Sequence, residues 1–91
     1  MEISKMLTVS TAHISQETAR MLDLDALDIV VYDKSGYGWF IFVPSYDDPE
    51  IYLTRELHNL LIFAENNNCD WLCLDRDEKV LISDSLEVFE W

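Results

Sequence analysis

"DIVVYDKSGYGWFIFVP", residues 28–44, sets two β-branched and aromatic runs around Ser35-Gly36-Tyr37. Glycine takes positive φ without steric cost, so the pattern predicts a β-hairpin with strands over 28–34 and 38–44. Side chains alternate across a strand, which places Trp39, Ile41 and Val43 on one face and Phe40 and Phe42 on the other. One apolar set is expected in the core, and the second is open to a partner.

Helical patterns flank the hairpin. Upstream, "MLTVSTAHI" (6–14) reads as a strand, and Ser15 reads as the N-cap of a helix over "SQETARMLDL", its hydroxyl taking a free first-turn N–H. On that helix Thr18, Ala19, Met21 and Leu22 form an inward strip, with Glu17, Arg20 and Asp23 outward. Downstream, "SYDDPE" holds Pro49 and no apolar periodicity, so it reads as an exposed loop. Thr54 is then expected to cap a second helix over 54–66, in which Leu57, Leu60, Leu61 and Ala64 recur at helical spacing until "NNN" ends it. "DWLCLD" (70–75), a polar turn "RDE", "KVLIS" (79–83) and the alternating "LEVFEW" (86–91) read as a strand, a hairpin turn and further short strands. The order β-α-β-β-α-β-β predicts an α+β two-layer sandwich, a mostly antiparallel sheet of about four or five strands with two helices on one face.

Ninety-one residues hold one core, so residues 1–91 are read as a single globular domain. With 49% hydrophobic and 12% aromatic residues, that core fills without disulfides or a structural metal. No apolar run approaches the roughly 20 residues of a membrane span, and no basic start precedes a signal-length apolar run, so a cytoplasmic location is expected.

Charge is the least ordinary feature: eighteen Asp and Glu against six Lys and Arg give a net charge of −12. Nucleic acid and anionic membrane are therefore unfavourable direct partners. A globule of this length is roughly 30 Å across, and duplex DNA of that length carries on the order of 18 phosphates. The carboxylate count is of the same size. The expected partner is the basic surface of a nucleic-acid-binding protein complex.

Chemistry-bearing residues are few. On a strand, Cys69 and Cys73 lie about 13 Å apart, too far for a disulfide or a shared zinc. Asp70, Asp75, Asp77 and Glu78 lack the central glycine and the spacing of a calcium loop. His13, with Ser10, Thr11 and Ser15 nearby, could serve acyl transfer, but a backbone-bonding corner histidine is favoured. His58 reads as a partly exposed helical residue. The rings of Tyr37, Trp39, Phe40, Phe42, Tyr46 and Tyr52 lack the basic groove of a single-strand binder, since Lys34 is the one cation close by in sequence. No phosphate loop, dinucleotide fingerprint, HExxH pair or zinc ribbon occurs. No catalytic, cofactor-binding or metal-ligating residue is assigned, and a non-enzyme is expected.

The segments "TVSTAHIS" and "ETARML", "YGWFIFV", "LHNLLIFA", "CDWLCLDRDE" and the final Trp91 resemble a domain of unknown function met in small proteins of plasmids, integrative elements and phages. The resemblance singles out the strand-to-helix corner at His13, the segment before the second helix and the Asp75-Arg76-Asp77 turn. Glu78 stands where a glycine often follows that turn, which argues against a tight type I′ geometry. The family has no established activity, so the resemblance implies a mobile-element setting and no mechanism.

Together these features predict a non-enzymatic inhibitor of a host nucleic-acid-handling defence complex, of anti-CRISPR or anti-restriction type, that mimics nucleic-acid charge. The expected contact acids are Asp47, Asp48, Glu50, Asp75, Asp77, Glu78, Asp84, Glu87 and Glu90, with Tyr46 and Tyr52 as aromatic anchors. The alternatives are an interaction domain forming a homodimer that hides Phe40, Phe42 or Val88, and a small hydrolase centred on His13.

Overall fold

The computed structural model describes residues 1–27, 29–43, 54–82 and 86–90. Along the chain run β1 (Met6–Ser10), a 3-10 turn (Thr11–His13), α1 (Gln16–Asp23), β2 (Val31–Asp33), β3 (Gly38–Phe42), α2 (Arg55–Asn66) and β4 (Trp71–Asp75). The result is an α+β fold whose single mixed sheet has the order β1-β4-β3-β2. β4 pairs parallel to β1, with Met6 opposite Trp71, and antiparallel to β3, with Phe42 opposite Trp71. The strand inside "CDWLCLDRDE" is therefore central.

The helices form where local chemistry places them. Ser15 caps α1, its hydroxyl accepting from the Thr18 N–H at 3.2 Å. Thr54 has the extended backbone of an N-cap but no side-chain capping bond. Asn68 ends α2 at φ +59, with the Asn68 N–H on the Glu65 carbonyl and the Cys69 N–H on the Ala64 carbonyl, both at 2.9 Å. That is a Schellman stop, in which asparagine tolerates the left-handed conformation and the buried Cys69 follows as the apolar residue. Leu57, Leu60, Leu61 and Ala64 of α2 and Ala19 and Leu22 of α1 join Val9, Ile41, Leu72 and Leu74 of the sheet in one core.

The hairpin turns through Ser35 and Gly36, both at positive φ, with Tyr37 N–H on the Lys34 carbonyl. Gly38, at φ +155, is demanded by β4: a Cβ there would lie 1.6 Å from the Leu74 carbonyl oxygen. No side chain fits that approach.

Three expectations need correction. β1 stops at Ser10, because the Ser10 hydroxyl accepts from the Ala12 N–H at 3.1 Å and folds 11–13 into a 3-10 turn. β2 is shorter than 28–34 and begins at Val31. The described residues of 79–83 and 86–91 are irregular and not strands. Their backbone N–H groups are engaged elsewhere, Leu81 on the His13 ring and Phe89 on the Ala12 carbonyl. "RDE" is consequently a turn that leaves the sheet without starting a hairpin.

Candidate functional site

At one end of the sheet the 34–37 turn and the turn after β4 lie together, joined by the Arg76 N–H on the Tyr37 carbonyl at 2.8 Å. The Arg76 guanidinium sits 4.3 Å from the Tyr37 ring centre. Asp75 turns the chain by accepting the Asp77 N–H at 2.9 Å, and no residue of 76–78 has positive φ, in keeping with Glu78 in place of glycine. The last residue of α1, Asp23, and the turn after it, with Asp25, reach the same region. Three adjoining clefts, of about 400, 530 and 560 Å³, share Trp39 and Asp23, and their walls include Asp25 and Asp33. The Trp39 indole N–H donates to Asp23 at 3.0 Å.

Asp75 itself is not a free charge. Lys34 Nζ lies 2.5 Å from its carboxylate. That hydrogen bond, followed by the Asp77 N–H, holds Asp75 below its ordinary pKa, and the same bond to Asp75 holds Lys34 above its own. Glu87 pairs with Arg55 at 2.9 Å. Asp77, Glu78 and Glu90 are exposed and carry no ion pair among the described residues. Asp47, Asp48, Glu50, Asp84, Tyr46, Tyr52 and Trp91 lie outside the described residues.

The sheet face away from the helices is aromatic. Phe40 and Phe42 point there and Trp39 and Ile41 into the core, as the alternation requires. Trp71 packs edge-on to Phe42 at 5.4 Å and tilted to Tyr32 at 6.1 Å, while Lys34 lies 5.6 Å from the Phe40 ring centre. Tyr32 is 58% and Phe42 44% exposed. Cys73 lies on this face, buried, with Lys34 Nζ 3.7 Å from its sulfur, and both cysteines are free thiols.

His13 is buried at the corner between β1 and α1. Its Nδ1 lies 2.8 Å from the Glu87 carbonyl, and its Nε2 accepts the Leu81 N–H at 3.0 Å. Those partners fix the neutral tautomer with the proton on Nδ1. The ring ties both C-terminal segments to the corner, the backbone-bonding role expected of it. His58 lies on the exposed side of α2.

Glu56 is the residue that sequence reasoning missed. An acid in the first turn of a helix reads as a solvated partner of the helix dipole, yet Glu56 is buried between the two helix N-termini. Its carboxylate accepts from the hydroxyls of Thr18 and Ser15 and from the Ser15 N–H, and the Thr54 hydroxyl lies 2.9 Å from that of Thr18. Burial opposes the charge, but these hydroxyls and the backbone N–H groups of Glu56 and Ser15 outweigh it and hold the carboxyl below its ordinary pKa. Only the Ser15 cap, visible in sequence, hinted at an acceptor nearby.

Among the described residues no three His, Cys, Asp or Glu side chains stand where they could hold a metal ion, and no helix is long and apolar enough to cross a membrane. Fold and surfaces define a small α+β domain with an aromatic sheet face. Residues 6–91 match the model of the family of unknown function DUF5983, C-terminal domain, and the chain belongs to that family. Neither the curated proteins nor the solved structures gave a match.

Proposed function

We propose that this domain is a non-enzymatic binding protein that docks its acidic end on the cationic surface of a nucleic-acid-handling protein. The observation that carries the reading is the convergence of Asp23, Asp25, Asp33, Asp77 and Glu78 around the two abutting turns, where they outnumber Arg20 and Arg76 of the cleft walls, in a chain of net charge −12. Such a field speeds association and discriminates against acidic surfaces, and it is screened over a Debye length of about 8 Å at physiological ionic strength. The resemblance to proteins of plasmids, integrative elements and phages supplies the setting, with a defence complex of the CRISPR or restriction type as the target. Catalysis at His13 has less support, because both ring nitrogens are occupied by backbone groups.

Reversing Asp77 and Glu78 to lysine leaves the Lys34–Asp75 pair in place. In competition with a labelled DNA duplex for a purified CRISPR effector or restriction endonuclease, the native chain displaces DNA, less so as salt rises. The doubly reversed variant displaces it more weakly. Equal displacement by both proteins across the salt range would sink the reading, as would none by either.

A further inference from the structure

We infer that the aromatic sheet face is a self-association surface, and that its occupant is a second copy of this chain. The residues directed to that face fall into rows across the strands. Met6, Trp71 and Phe42 stand opposite one another in the first row, and the exposed Thr8 with Cys73, Phe40 and Tyr32 in the next. The third row holds Asp75, and Lys34 neutralises it. A surface four strands wide thus presents no unpaired charge, on a protein whose formal charge is −12.

Charge complementarity selects the partner. A cationic protein gains nothing from a neutral face and is drawn to the acidic end instead. What matches an uncharged aromatic face is another uncharged apolar face, and a second copy brings one related by a two-fold axis. Among the described residues it is a place where two such chains can meet without bringing carboxylates together. Tyr32, Phe42 and Met6, each at least 44% exposed, are the side chains that the contact would cover.

Area sets the strength. Three strands of five residues and one of three, at about 3.3 Å per residue and about 4.8 Å apart, give a footprint of roughly 290 Å². A standard interface takes about 800 Å² from each partner, so the dimer is weak and populated at high protein concentration. Its salt dependence is opposite in sign to that of docking on a cationic partner, because screening relieves the repulsion between two acidic chains.

Sedimentation equilibrium under reducing conditions, over a range of concentration and salt, tests this on the full chain. Reduction keeps Cys69 and Cys73 from cross-linking. The expected result is a mass that climbs from monomer towards dimer with concentration, at lower concentration when salt is high. Phe42→Asp should be monomeric throughout. Tyr32→Ser, at the most exposed ring, should weaken association at least about tenfold and decides the matter if circular dichroism shows Phe42→Asp unfolded. A monomer under all conditions, a dimer that salt weakens, or a dimer that both variants leave intact would each overturn the inference.

Discussion

The two faces of the sheet are made from alternate residues of the same strands, and in composition they differ little. Towards the helices point Ile41, Leu72 and Leu74, each fully buried; away from them point Phe42, 44% exposed, and the half-buried Trp71. Apolar character is present on both sides, so it does not decide which one is covered. Helix placement does: Ser15 starts α1 and Asn68 stops α2 so that their leucines and alanines meet a single face. The other is left with rings, one ion pair and a buried thiol.

That contrast can be broken most severely at Gly38, which lies between the faces because β4 passes directly over its backbone. Gly38→Ala forces a Cβ into the Leu74 carbonyl, so a loss of more than about 4 kcal/mol is expected, read as a collapsed urea midpoint. Leu72→Ala empties the helix side and should cost about 2–5 kcal/mol by the same measurement. Glu56→Gln replaces the charged acceptor of the hydroxyl network at the helix starts by a neutral one, for an expected loss of about 1–3 kcal/mol. Phe42→Ala on the open face should cost only about 1 kcal/mol, mainly its edge contact with Trp71. Were Phe42→Ala to match Leu72→Ala, the two faces would not differ as described.

Titration sharpens the same comparison, because Glu56 belongs to the helix side and the Lys34–Asp75 pair to the open side. Glu56 and Asp75 both have folded pKa values below their unfolded ones. Their contribution is therefore present above the ordinary carboxyl range and is lost as pH falls through the folded values. Lys34 is raised, so its contribution is complete below the ordinary lysine pKa and disappears as pH climbs past the folded one. Urea midpoints against pH should fall at both extremes. Glu56→Gln should flatten the acid limb, and Lys34→Met should remove the alkaline fall.

Much of the architecture was legible because it is local. The Ser15 cap, the helical leucines, the Gly36 turn and the alternation of Trp39 to Phe42 depend on residues close in sequence. What escaped depends on partners far away. Residues 79–82 and 86–90 have a strand-like pattern, yet their N–H groups meet His13 and Ala12, a choice made by packing. Glu56 reads as a surface acid until Ser15 and Thr18, about forty positions earlier, are placed beside it. Of the expected contact acids, sequence could not tell that Lys34 engages Asp75 or that Arg55 engages Glu87. Asp77, Glu78 and Glu90 kept the exposure that a turn and a polar segment imply.

The central position of β4 bears on how the chain assembles during synthesis. β1 is made before the other strands, but its sheet neighbour is Trp71–Asp75, and β3 also waits for that strand on its other side. Until the ribosome has released residue 75, the nascent molecule has a hairpin, two helix segments and an orphan strand, and nothing to join them. Closure of the sheet is thus deferred until Trp71–Asp75 has emerged, and a ribosome stalled ahead of Trp71 would hold a chain with no continuous sheet.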